Sequence, residues 1–500
     1  MKILTETYKE KISLTLSCYD RLIITGSLPE ISYAQGITSY FYANQLRIFD
    51  YAHFAEPYNE KIRLNAENIA KEHGIEIEFI RKSGTRKEAI IASKLKERGN
   101  HPGIVHIFSA LETCKTFQPW HDKKTGHTFL RPDQSKCLHY YFYFIDEQLG
   151  LCYVRVPTWC PFRLQIYLNG HNILANELKQ NSIPFTMIDN AFDSIANADK
   201  AQELSDNLNI EKIHRKLDEF AWRYCPVYQD LHLHYHWSII QSEYATDIVF
   251  MHQSDLQKIY GELIATAIHT VKPENIATFL GHKLDDRFQG EIGNNYNVRI
   301  EGSRIKHSMK DVSIKMYDKY SKILRIETTT NNISLFRHYR KVVHHDGTTS
   351  NQMARLKKNI YSLPLLKDLL KAANKRYLEF ISAFNNKEVG RKMLEKVTDS
   401  KTVKNRNYRG FNFFSKLDLS ILLTIVRGEF FINGFRNKHL QNLLHLTSSK
   451  VSRLIKRLLV HGLIKRPQNS YKYYLTYFGK ETIVAAQLIK EIILVPAYSF

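Results

Sequence analysis

Three groups of residues in this chain have types and spacings that could do chemistry. The octet Asp230-Leu231-His232-Leu233-His234-Tyr235-His236-Trp237 alternates strictly, which puts His232, His234 and His236 on one face of an extended segment and Leu231, Leu233, Tyr235 and Trp237 on the other. Imidazoles in that array could make a solvated His face or a surface that meets phosphate. Asp20, Glu112 and Asp146 fall at or beside expected strand ends, and Asp189 is a fourth such acid. Carboxylates converging there could hold Mg²⁺ or Mn²⁺ for phosphodiester cleavage, because hard cations take carboxylate oxygen and water; singly, such acids serve equally as caps or solvated positions. Cys114, His121, His127, Cys137 and His139 surround a Lys-Lys-Thr-Gly turn, but their gaps are not the short paired spacings zinc prefers. Trp120, Lys123, Lys124 and Arg131 in the same stretch suit an exposed basic and aromatic surface.

A further cluster lies in the middle of the chain. Segments 297–301, 311–317 and 323–329 alternate between apolar and polar residues and are joined by turns, which predicts an antiparallel meander. Val312, Ile314, Met316, Leu324 and Ile326 belong to its apolar side. Lys315, Tyr317, Arg325 and Glu327 belong to the other, joined by Arg304, Lys306, His307 and Lys310. Cations with an aromatic among them can grip phosphates and stack a base. The same face could equally be a sheet exterior laced with cross-strand ion pairs, or a polar catalytic centre using Tyr317 and Glu327.

The elements that must position these groups are mixed. The N-terminal part reads as an α/β domain over residues 1–195: a strand at Arg21–Gly26, a helix at Tyr58–Glu72 closed by Gly74, a strand at Ile75–Ile80, a helix at Lys87–Glu97 and a buried strand at Ile104–Phe108. Leu138–Ile145 and Leu151–Val156 form a hairpin across Asp146–Gly150, and Phe162–Leu178 reads as a helix that Asn169-Gly170 can interrupt. Residues 196–398 read as a central domain, helical to about 270 apart from the His octet, then an antiparallel sheet braced by a long helix at Leu365–Phe384. Asp399–Gly410 is polar and basic and reads as a linker into a C-terminal domain, 399–500. The fold class expected is thus a mixed α+β multidomain chain.

That C-terminal stretch has the clearest pattern. Val451, Leu454, Ile455, Leu458 and Leu459 recur at the spacing of one buried helical stripe, leaving Lys450, Ser452, Arg453, Lys456 and Arg457 outside. Thr447, Ser448 or Ser449 can cap its start and Gly462 can end it. Arg436–Leu444 is a shorter amphipathic helix upstream, and the stretches 463–466 and 471–475 flank Pro467-Gln468-Asn469-Ser470 as a hairpin carrying Lys465, Arg466 and Lys472. From Lys401 to Lys480 there are nine Lys and seven Arg against Asp418 and Glu429, a net +14 of the chain's +21. Each phosphate that such a surface neutralises releases condensed counterions.

Ser448 to Gly462 and the following Gly-Leu-Ile-Lys-Arg…Tyr-Lys-Tyr-Tyr-Leu-Thr wing resemble the winged-helix DNA-binding domains of MarR-type regulators. The resemblance implies that the Lys450 helix enters a major groove while the Lys465–Lys472 wing touches the flanking backbone. MarR proteins are small dimers, whereas here about 400 residues precede the module, so ligand-controlled repression is not implied. The His octet locally resembles rolling-circle HUH nucleases, in which two His flanking an apolar residue hold a divalent metal beside a nucleophilic Tyr; the resemblance implies that role for His232, His234 and His236, with Tyr317 or Tyr320 as nucleophile, but the usual Tyr-x-x-Lys helix is not evident here.

The 43% hydrophobic content is enough for several cores, and the six cysteines lack any Cys-x-x-Cys pair, as expected of reduced thiols. Met1–Ser17 lacks the apolar core of a signal peptide and no run approaches a membrane span, so a cytoplasmic protein without a membrane partner is expected. The function expected is nucleic-acid binding, on duplex DNA through the winged helix, as a regulator or a mobile-element or replication factor. The alternatives are a metal-dependent nuclease or nicking replication initiator, and an RNA-binding ribonucleoprotein component.

Overall fold

The computed structural model describes residues 4–82, 84–271, 273–281, 292–299, 302–344, 346–384, 396–427, 430, 434–467 and 470–488. The expectations that touch Ile300, Glu301, Gln468, Asn469 and the end of the chain lie outside these residues. The fold is mixed α+β, with a large, mostly antiparallel sheet content. Its two compact units are interleaved in sequence: one is Met1–Thr15, Ala245–Thr328 and Leu369–Phe500, the other Leu16–Tyr244 and Thr329–Asp368.

The strands are β1 (Ile12–Ser27), β2 (Ile77–Phe79), β3 (Gly103–His121), β4 (Thr128–Asp146), β5 (Gly150–Pro157), β6 (Leu164–Asn169), β7 (Phe185–Met187), β8 (Phe192–Ile195) and β9 (His236–Phe250). There follow β10 (Ile292–Arg299), β11 (Gly302–Met309), β12 (Val312–Lys319), β13 (Ile323–Thr330), β14 (Arg337–Val343) and β15 (Thr349–Arg355). Four short strands end the series: β16 (Lys401–Val403), β17 (Arg406–Tyr408), β18 (Ile464–Lys465) and β19 (Tyr474–Leu475).

In the Leu16–Tyr244 unit the strand order is β9-β1-β6-β5-β4-β3-β2, antiparallel along β1, β6, β5, β4 and β3, with β2 parallel on β3. Residues 139–144 of β4 are buried on both faces, hence their continuous aromatic run, whereas β5 alternates buried with half-buried residues. The strands are longer than the sequence reading allowed. Asp20 lies inside the 16-residue β1, not before it, and Glu112 lies inside the 19-residue β3, not past its end. The break expected at Asn169-Gly170 is present, but the part before it, expected as helix, is strand β6, and the helix runs over Gly170–Gln180. Asn169 separates the two by accepting a hydrogen bond from the Asn172 N–H. Gly170 is required there because a Cβ would lie 2.1 Å from the Tyr19 carbonyl oxygen. The stretch 196–270, expected to be mainly helical, contains the 15-residue β9. Its residues 242–250 are buried on both faces, so they lack the alternation that marks a half-exposed strand.

In the other unit β10, β11, β12 and β13 form an antiparallel meander of four strands rather than the expected three, because the stretch expected as a turn with Arg304, Lys306 and His307 is itself strand β11. Val312, Ile314, Met316, Leu324 and Ile326 are all buried. The helix Leu363–Phe384 follows. The C-terminal module has helices at Lys416–Ile425, Asn437–Leu444 and Ser448–Val460, then the β18–β19 hairpin and the helix Tyr477–Leu488. A bridge from Phe435 to Tyr473 extends the hairpin to a third strand position, completing a winged-helix arrangement. The segment expected as a linker holds the small β16–β17 hairpin.

Candidate nucleic-acid interface

The cationic helix Ser448–Val460 is seated by Val451, Ile455 and Leu458, which join Ile421, Leu422, Ile425, Leu440, Leu463 and Ile464 in one buried core. Leu454 and Leu459 pack against it half-buried. The helix begins after Thr447, whose side chain makes no capping bond, and ends before Gly462 in the left-handed conformation, φ 73°. Lys450, Ser452, Arg453 and Lys456 are exposed on the opposite side. Ser452 accepts a hydrogen bond of 2.8 Å from Asn437 Nδ2, which ties the cationic helix to the start of the one before it. Lys465 and Arg466 are exposed on the hairpin and Lys472 is half-buried.

Arg457 departs from this face. Its guanidinium turns inward, lies over the Phe411 ring at 3.8 Å and donates to both oxygens of Asp418 at 2.8 Å each. It also donates to the Arg409 and Gly410 carbonyls. The Asp418 side chain is fully buried and that of Arg457 only 12% exposed, so this arginine is a structural clasp and not a surface contact. Burial pushes the Asp418 carboxyl up, but the bonds from Arg457 and the Asn412 N–H and the charges of Arg457 and Arg409 outweigh it, leaving its pKa below the ordinary value. The signal was present in the sequence: Asp418 stands between Leu417 and Leu419 in a module with hardly any acid.

The central sheet does not present the expected basic surface. Arg325 is completely buried and pairs through Nε and Nη2 with the two oxygens of Asp247, both at 2.6 Å. Glu327 is buried too, accepting from Lys315 Nζ at 2.6 Å and from the Tyr317 hydroxyl at 2.8 Å. Arg304 and Lys306 are half-buried. The polar side of β13 is therefore interior: alternation located its two faces, but both of them are covered. Tyr317, a candidate nucleophile, is held by a carboxylate inside this network.

The three candidate carboxylates do not converge. Asp20 pairs with His171 Nδ1 at 3.0 Å and accepts from Asn190 Nδ2 at 3.0 Å. Glu112 accepts from Tyr141 and from Arg155 Nη2 at 2.6 Å, with Lys87 Nζ at 3.7 Å. Asp146 accepts the Gln148 and Leu149 N–H groups in its turn and faces Lys216 at 3.4 Å. His232, His234 and His236 are exposed, and Leu231, Leu233, Tyr235 and Trp237 are buried, as alternation predicts. Only His236 belongs to a strand, since the chain turns through His232 at φ 52°. Among the described residues neither the three His nor Asp20, Glu112 and Asp146 form a group able to share one ion.

Of the Cys/His group, Cys114, Cys137 and His139 come together on adjacent strands β3 and β4, while His121 lies beyond them, bonded to Thr128. Cys114 lies 3.7 Å from the Ser135 hydroxyl. Hydrogen bonding from Cys137 outweighs burial and brings the Cys114 thiol down to about 7, whereas Cys137 is raised.

No family model, curated protein or solved structure matches this chain. Among the described residues no helix is long and apolar enough to cross a membrane.

Proposed function

We propose that the C-terminal module binds duplex DNA, with the helix Ser448–Val460 in the major groove and the β18–β19 wing against the flanking backbone. One observation carries the reading: Lys450, Ser452, Arg453 and Lys456 are exposed together on one face of a helix whose other face is locked into a core. Lys465 and Arg466 add exposed charge on the adjoining hairpin. A helix held rigidly by its apolar stripe, with cations outward, can approach a polyanion without first desolvating an ion pair. The likeness of residues 448–475 to MarR-type winged helices points the same way. A regulator, or an accessory factor of replication or of a mobile element, would use such a module.

Binding of a labelled duplex by the full chain tests this. The combined Lys450→Ala, Arg453→Ala, Lys456→Ala variant should lose about tenfold or more in affinity at physiological salt. Affinity equal to that of the parent would remove the helix from any DNA contact.

A further inference from the structure

The far end of the β3–β4 hairpin carries a partly exposed aromatic pair. Trp120 and Phe129 are direct cross-strand partners, so their rings share one face, and both remain exposed, at 43% and 36%. The Arg131 guanidinium lies over the Trp120 ring at 3.9 Å. At the tip Lys123 and Lys124 are exposed. The turn that displays them is fixed: Asp122 accepts the Lys124 N–H at 2.9 Å and the Thr125 hydroxyl at 2.7 Å, and Gly126 takes φ 69°. The base of the arm is held as well. Tyr42, itself 58% exposed, donates its hydroxyl to the Thr128 carbonyl, and the Leu130 N–H donates to Thr38 Oγ1 at 3.0 Å.

We propose that this arm is a binding surface for single-stranded nucleic acid, with unpaired bases stacking on Trp120 and Phe129 and the backbone running past Arg131, Lys123 and Lys124. The chemistry favours that occupant over others. Partly exposed rings on a rigid hairpin, one already backed by a guanidinium, give stacking area at little entropic cost, and every unpaired base has a π face. A duplex keeps its bases stacked inside and could not use the rings. Charge matches a polyanion: Asp122 is engaged in the turn, and Asp133, two rungs beyond Arg131, is the remaining acid of the arm. The arm is built entirely within the Leu16–Tyr244 unit and does not depend on the winged-helix reading.

The test is fluorescence anisotropy of labelled oligo(dT), which cannot form a duplex, with the full-length chain and with its variants, alongside a labelled duplex. Trp120→Ala and Phe129→Ala should each weaken oligo(dT) binding about fivefold to a hundredfold and leave duplex binding as in the parent. Trp120→Leu, large and apolar but without a π face, should be as weak as Trp120→Ala. Lys450→Ala with Arg453→Ala should bind oligo(dT) like the parent. Oligo(dT) binding at parental strength by Trp120→Ala or Trp120→Leu would overturn the proposal, and the Leu result would point to an apolar protein contact. Loss of oligo(dT) binding on changing Lys450 and Arg453, with the arm intact, would overturn it as well. If the winged-helix reading is wrong, duplex binding alone is absent.

Discussion

Arg457 and Asp418 form a two-bond ion pair inside the C-terminal module, with the carboxylate fully buried and the guanidinium nearly so. The one cation of the helix that is withdrawn from solvent thereby pins the helix Lys416–Ile425 to the helix that carries the exposed ones.

Removing one partner leaves the other charge buried. Asp418→Ala should cost about 3 kcal/mol or more. Thermal or denaturant unfolding followed at the module would show it, and duplex binding should fall with the folded fraction. Because the Asp418 pKa is depressed in the folded state, its contribution is present above the ordinary carboxylate value, about 3.9, and is lost as pH falls through the lower folded value.

The same logic applies to Asp247 and Arg325. Arg325→Ala should destabilise its unit by about 3 to 5 kcal/mol, whereas the double change Asp247→Leu, Arg325→Met should recover most of that loss. A surface phosphate contact would behave in the opposite way, altering nucleic-acid affinity with little change in the unfolding midpoint.

How far the sequence could be read follows from which faces water reaches. The stripe Val451, Ile455, Leu458 was legible because the other side of the helix is solvated, and the hairpin across Asp146–Gly150 because a turn interrupts two apolar runs. Burial on both sides erased the signal elsewhere: β9 read as helical ground, and Arg325 and Glu327 read as surface although the network that neutralises them lies in the interior. The interleaving of the two units depends on long-range strand pairing, which no local period records. Trp120 and Arg131 were visible as an aromatic and basic group. Their stacking was not, since it depends on the β3–β4 register.

Buried histidines set the acid limit. Burial, with the charge of Arg155, lowers His139 to about 4, and burial lowers His307, bonded to Tyr377, to about 3. Both are neutral in the folded chain at neutral pH. Between the ordinary value near 6.5 and those lowered values the unfolded chain binds more protons at these two positions, so their contribution to stability should fall as pH drops through that window and be constant above it. Denaturant midpoints measured across pH 3 to 8 would show this, and His307→Gln should flatten part of the slope.

Cys114 should be the most reactive of the six thiols at neutral pH. Hydrogen bonding from Cys137 holds its thiol below the ordinary value, while burial raises Cys152, Cys160 and Cys225. Iodoacetamide labelling read by peptide mass should show Cys114 modified first, at a rate whose rise with pH comes at a lower pH than for an ordinary thiol. Cys137→Ser should shift that rise.

The salt dependence of duplex affinity tests the central claim most directly. Log affinity against log salt should fall linearly for the parent. The slope of the Lys450→Ala, Arg453→Ala, Lys456→Ala variant should be shallower by about three, close to one unit for each phosphate contact removed. A slope identical to the parent's, in a variant that folds normally, would contradict it.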